Sequence, residues 1–386
     1  MQVMSKPLVI VIGFIGKLPL AGMSLYNIHY IAGLQDLGYD IHYVERQNSA
    51  EDCYDPDLDS MTDDPSCAIR YLENLLPGYG IERTRYSFID RMNTCWGSGW
   101  KGLCEALDRA EFVLSLCDPS WFDELERCPR RAFVDGDPMF TQVEMLEGTE
   151  KSSVLAKFNI LFTYAARMSK QDCTVPDAGR TWIPTRPVVA SRLWDVAPGG
   201  LGCPVTTVMH WGGGADVAFN DQIYGHKGRS FESFVQLPKR TQESFALALG
   251  GSAPRDELLA AGWQLVSPLA TTKTIGAYKT FIEQSRADFG IAKHAYVASR
   301  SGWFSDRSTC YLASGRPVFH QDTGFGDQVP TGEGLLSFST IEDVRENLRR
   351  IDADYRRHCV AARSIAEEFF ESSKVVRRML LEAGLT

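Results

Sequence analysis

Apolar positions in this chain fall into short continuous runs separated by helical stripes, and that alternation predicts the fold class. Pro7-Leu-Val-Ile-Val-Ile-Gly13 is apolar throughout and ends in glycine, the pattern of a parallel strand covered on both faces. Gly13, Gly16 and Gly22 then give a flexible turn. Ser24 is placed to cap a helix running to about Leu37, and Gly38 stops it. Residues 41–44 form the next strand, completing a βαβ opening of the doubly wound type, which places its ligands beyond the carboxyl ends of the strands. Residues 48–110 have weak periodicity and predict an elaborated region of short helices. Strands resume at 112–116, 131–134 and 159–163, and the first series closes near 187–190.

Asp195-Val-Ala-Pro-Gly-Gly-Leu-Gly-Cys-Pro204 is a Pro/Gly-rich break, the best candidate for an interdomain linker. A second series follows at 205–209, 245–249, 263–266, 289–292 and 317–320, with a loop His210-Trp-Gly-Gly-Gly214 after its first strand. Strands alternating with helices in both halves predict two similar sheets facing across a cleft. The first domain spans residues 1–195 and the second 204–364. Residues 341–381 are mainly helical: Val344, Leu348 and Ile351 share one stripe, and Ile365, Phe369, Val376 and Leu380 another.

Composition agrees and excludes some functions. A chain of 386 residues exceeds what one core usually organises. A net charge of -9 argues against nucleic acid as a partner, since duplex binding needs a basic footprint. The ten cysteines are scattered without a C-x-x-C pair, so reduced thiols are expected. The apolar run at 8–15 is too short to span a membrane and only Lys6 precedes it. A strand is therefore expected there, not a signal peptide or anchor, with a cytoplasmic location.

The candidate chemistry concentrates in residues 300–317, Arg-Ser-Gly-Trp-Phe-Ser-Asp-Arg-Ser-Thr-Cys-Tyr-Leu-Ala-Ser-Gly-Arg-Pro. Ser301, Gly302 and Ser305 are small, backbone-exposing positions ahead of a helix starting near Asp306, whose free amides and positive dipole end suit an anion. Arg300 and Arg307 flank the loop. Such a set can hold a diphosphate leaving group.

The same stretch resembles the nucleotide-sugar signature of GT-B glycosyltransferases, a Gly-Trp-x-Ser loop before a helix ending in Gly-x-Pro. Gly302, Trp303, Ser305, Gly315 and Pro317 carry the likeness, and Asp327-Gln328 falls close to that family's sugar-contacting Asp-Gln. The family's His at the head of the loop is Arg300 here, and its ribose-binding Glu is Ser308. From residue 284 onward the chain also resembles a bacterial GT-B family carrying Ser-Gly-Trp-Phe-Ser-Asp-Arg-Ser and Gln-Asp-Thr-Gly-Phe. The resemblance implies an α/β fold of GT-B type, two Rossmann-like doubly wound domains, with the C-terminal helix (365–386) returning to the first. It implies transfer of a sugar from a nucleoside diphosphate donor, UDP-linked, to a small-molecule or glycan acceptor. No bound cofactor and no catalytic metal are expected, no metal-ligand spacing is present, and the oligomeric state is left open. Residues 48–110 would carry acceptor contacts.

On this reading Ser301, Gly302, Ser305, Asp306, Arg307, Ser308 and Arg300 grip the donor with Gly16, His210 and Lys227, while Asp322, Thr323 and Gly324 meet its sugar. Lys17 lies within reach of the phosphates, and Arg229 stands beside Lys227 in a mobile loop where solvated charge is the plain alternative. Arg307 is also a catalytic candidate. Asp137, in Asp135-Gly136-Asp137-Pro138 at a strand end, is the leading general base, Asp118 the second, although Asp before Pro often only forms a turn. His29 is a third base candidate or a helix-packing residue. The loop from Gly13 with Glu45 misses G-x-G-x-x-G, which disfavours a dehydrogenase. An epimerase or hydrolase of nucleotide sugars, or a non-catalytic binding protein, remains open as an alternative.

Overall fold

The computed structural model describes residues 6–196 and 200–385. Eight strands form the first sheet: β1 (Leu8–Ile12), β2 (Asp40–Arg46), then, after a hairpin of β3 (Cys53–Asp55) and β4 (Ser60–Thr62), β5 (Tyr86–Ile89), β6 (Cys95–Gly97), β7 (Ala110–Leu116), β8 (Arg131–Asp135), β9 (Ile160–Thr163) and β10 (Ile183–Pro184). Their order is β10-β9-β8-β7-β1-β2-β5-β6, parallel except at β5–β6. The second sheet contains β11 (Val205–His210), β14 (Phe245–Gly250), β15 (Gln264–Val266), β16 (Ala287–Gly290), β17 (Val318–Gln321) and β18 (Leu335–Phe338). It is parallel in the order β15-β14-β11-β16-β17-β18, and β12 (Val217–Phe219) and β13 (Gln222–Tyr224) form a separate hairpin whose Val217, Phe219 and Tyr224 pack with the first core.

Each sheet grows to one side and then resumes on the other flank of its first strand, at β7 beside β1 and at β16 beside β11. Crevices at such switch points are where doubly wound sheets bind ligands. Val9, Ile10, Val11 and Ile12 are fully buried, as a strand covered on both faces requires. The second core is aromatic, with Phe231, Phe245, Trp263, Phe289 and Phe338 together. A third cluster joins the halves: Leu25, Val189 and Trp194 pack with Tyr278, Phe304 and Phe370.

Several expected boundaries move. The first helix is Ala21–Asp36, so Ser24 lies inside its first turn, buried, with Oγ 3.0 Å from the Tyr71 hydroxyl. Residues 48–110 contribute β5 and β6 to the sheet, as well as short helices. The strand expected at 289–292 is β16, shifted toward the N-terminus. Residues 197–199 of the expected linker lie outside the described residues. The second C-terminal stripe changes phase because Ala366–Phe370 is a π-helical turn, whose extra residue rotates the chain. Phe370 is consequently fully buried, and Phe369 only partly.

Helix Ser372–Glu382 returns to the first core, burying Val376, Met379 and Leu380 there. It crosses the first helix at Gly33, where an added Cβ would sit 2.8 Å from the Ser372 carbonyl carbon. Gly33→Ala is therefore expected to lower stability by about 1–3 kcal/mol through overpacking, although alanine favours a helix by up to about 1 kcal/mol. A denaturant midpoint equal to that of wild type would show the crossing to be looser. Among the described residues no helix is long and apolar enough to cross a membrane, and no cluster of three His, Cys, Asp or Glu side chains has metal-binding geometry.

Candidate active site

Helix Asp306–Ala313 starts at the carboxyl-end edge of the second sheet. Ser305 precedes it in extended conformation, and its amide donates to His320 Nε2 at 3.2 Å. Burial pushes His320 down to about 3, so the ring is neutral, and Nδ1 faces the Gln321 carbonyl at 2.8 Å. Among the described residues nothing accepts from the amides of Asp306, Arg307 or Ser308. Three unspent donors at the positive end of a helix dipole form an anion cradle.

Lys227 opens the short helix Lys227–Phe231. It is half-buried, yet no carboxylate among the described residues lies within salt-bridge distance of its ammonium. Burial, then the positive charges of Arg307 and Lys293, lower its pKa to about 7, against an opposing pull from Asp306 and Asp288. A cation partly stripped of water with no counter-ion is electrostatically incomplete, and an anion would complete it.

The two halves meet beside this point. Asp137, after β8, receives Lys293 Nζ on both oxygens, at 2.9 and 2.6 Å, and the Tyr296 hydroxyl on Oδ1. Trp303 Nε1 donates to the Gly136 carbonyl at 3.0 Å. His226 stacks on Phe140 with centroids 4.7 Å apart, and the Lys293 ammonium stands 4.6 Å from the same ring. The Asp137 loop is held from below by buried Asp135, which accepts from Thr141, Gln142, Thr163 and the Asp137 amide.

A second tie lies at Arg167, 6% exposed. Its Nε donates to Asp327 Oδ2 at 2.7 Å, Nη2 to Asp172 at 2.8 Å, and Nη1 to the Arg300 carbonyl at 3.1 Å. The side chain fills the space that Cβ atoms would need at Gly302 and Gly324, which have φ of +78° and +87°. Glycine at both positions thus serves close approach by an arginine from the other half.

Several expected ligand contacts are spent on protein. The Arg307 guanidinium turns away from the helix end onto buried Asp288, at 3.2 and 3.4 Å, and the Val208 carbonyl. The Ser308 hydroxyl donates to the same Asp288. The Arg307 guanidinium is thus paired within the protein, and its backbone amide is the group left without an acceptor. Arg300 pairs with Asp172 at 2.9 Å. Ser301 and Thr323 are fully buried, with their hydroxyls on the Tyr296 and Trp303 carbonyls. Asp322 closes an Asx turn onto the Gly324 amide at 2.8 Å.

In the first half, the Gly16 amide donates to Glu45 at 2.7 Å and Leu72 covers the position, so that amide is already spent on protein. Lys17 is 2% exposed between Asp52 and Asp118, which occupies Asp118 as well. His29 is buried, accepts from Trp194 Nε1 at 3.0 Å, packs its ring against that indole and is pushed down to about 3 by burial. Asp137 stands at the expected strand end, but its oxygens are filled by donors from the other half, which makes it a strut between them. His210 is exposed at the end of β11, its ring against Gly251. Arg229 lies 3.7 Å from Asp216. Lys293, Tyr296, His226 and Arg167 were not anticipated, though Lys293 does follow a strand end.

Two parallel doubly wound sheets with a C-terminal helix returning to the first define the GT-B fold. Solved structures sharing it include an alpha-glucosyltransferase in complex with UDP and a 13-mer DNA (TM-score 0.59, 9% identity, covering 98% of this chain and 100% of that one). HepE of Anabaena in complex with UDP-glucose gives TM-score 0.56 at 10% identity, over 98% and 99% of the chains. Sucrose-phosphate synthase of Thermosynechococcus elongatus gives 0.51 at 11%, over 98% of each. No protein-family model matches the sequence, and no curated protein matches it.

Proposed function

We propose that this protein is a glycosyltransferase that takes its sugar from a nucleoside diphosphate donor. One observation carries the reading: the unpaired, half-buried Lys227 ammonium, in electrostatic reach of Asp306, beside a helix start with three unspent amides. Diphosphate oxygens fit both. As the sugar's anomeric bond breaks, the developing charge on the departing phosphate meets donors already aligned, an effect worth several kcal/mol in a closed site. The structural neighbours solved with UDP or UDP-glucose support a uridine donor.

The domains proposed are residues 1–195 with the returning helix, and 204–364 carrying the donor. Ser305, Asp306, Arg307 and Ser308 contribute backbone to the phosphate site, with Lys227 as its charge and His210 at its rim. Asp137 and Lys293 join the halves beside the reacting centre and help exclude water, since hydrolysis competes with transfer. Thermal unfolding with UDP, GDP, TDP and their sugars tests the reading. At 100 times Kd a ligand adds about 2.7 kcal/mol, so at least one should raise Tm by several degrees. If none does at millimolar concentration, the donor site is wrong. Release of free sugar without any acceptor would favour a hydrolase.

A further inference from the structure

We propose that the groove between the β10 edge and helix Ser372–Glu382 is a second ligand site, built for an organic oxyanion carried on an apolar body. The groove encloses about 550 Å³, within the roughly 300–1,000 Å³ of small-molecule sites. It takes walls from three parts of the chain: Trp182 to Arg186 after β9, Gln328 after β17, and the returning helix.

Its charges point to an anion. Arg186, half-buried, has no carboxylate within salt-bridge distance among the described residues; its recorded contact is a long one, 3.5 Å, to Gln328 Oε1. Arg378 faces the same space, also without a carboxylate partner, and lies close enough to oppose the charge on Arg186. Two guanidinium groups that repel each other across a groove are relieved by one shared oxyanion, which each can meet with paired N–H donors. Lys374 adds a third cation, while Glu368 and Glu382 are exposed side chains that limit the net charge. Trp182, Phe369 and Met379, backed by buried Phe162, supply an apolar wall that a bare inorganic ion would leave unused. The ligand is thus a phosphate monoester or carboxylate with a flat, apolar body.

The site is independent of the donor reading, and the two can fail separately. With the full-length protein, 1-naphthyl phosphate and 1-naphthoate should quench Trp182 fluorescence and raise Tm, whereas inorganic phosphate should bind at least tenfold more weakly. Which naphthyl compound binds tighter identifies the head group. Arg186→Gln and Arg378→Gln should each weaken that binding about tenfold, the size expected for one charge-assisted contact. Arg378 is exposed, so its replacement leaves folding intact. UDP at saturating concentration should displace neither probe. Equal binding to wild type and both variants, or displacement by UDP, would overturn the proposal, as would no saturable binding of either probe.

Discussion

Lys227→Met is expected to weaken nucleoside diphosphate binding by about 10- to 100-fold, the range of one or two charge-assisted hydrogen bonds. The lysine's pKa of about 7 adds a pH signature. In the free protein the ammonium loses its proton as pH rises through 7, well below the unfolded value near 10.5. The folded state therefore binds fewer protons than the unfolded state between those values, and the unpaired charge costs stability below pH 7. A bound diphosphate reverses this by favouring the protonated form. Affinity for UDP should accordingly fall with rising pH above 7, approaching tenfold per unit, until the lysine of the complex itself titrates. Lys227→Arg keeps its charge throughout and should lose that slope while retaining much of the binding. Calorimetric titrations at pH 6.5, 7.5 and 8.5 separate these outcomes. A wild-type affinity independent of pH, or a methionine variant that binds as wild type does, would place the diphosphate elsewhere.

What the sequence disclosed follows from how local each signal is. β1 was legible because both its faces are buried, so every residue is apolar, and the helix at Asp306 because small residues precede it and Gly-x-Pro ends it. β16 begins two residues before the expected 289–292 and includes Asp288, a buried charge within a strand. Its charge is compensated by Arg307 and Ser308, 19 and 20 residues further on, and no window spans that distance. The same pair hides the direction of Arg307, since an arginine at a helix start reads alike whether it points at a ligand or back into the core. The partner of Gly16 is hidden in a similar way: its amide is taken by Glu45, 29 residues away. Asp137 and Lys293 are 156 residues apart, and their meeting depends on how two sheets face each other. Only their common placement at strand ends was available beforehand. The phase change at Phe370 arises from a π-helical turn without a glycine or proline to announce it.

Arg167 carries the other large expected effect. Its guanidinium touches Asp172, Asp327 and the Arg300 carbonyl, and its backbone amide donates to the Ser301 carbonyl at 2.9 Å. Removing the charge from a fully buried pair costs about 3–5 kcal/mol. Here both carboxylates are about half exposed and regain water, so Arg167→Met should cost less, about 2 kcal/mol. Methionine still fills much of the space against Gly302 and Gly324, which separates loss of charge from loss of volume. Arg167→Ala also opens a void and should cost more, by about 1–2 kcal/mol. Lysine is not a conservative replacement, because one ammonium cannot meet two carboxylates and a carbonyl in a fixed fork. Because the tie holds residues 300–302 directly ahead of the anion cradle, the methionine variant should also bind UDP about tenfold more weakly. Denaturant midpoints and UDP titrations on the same samples distinguish the two roles. Stability lost with UDP affinity intact would make Arg167 a fastening between halves alone, and neither change would mean that the loop keeps its shape without it.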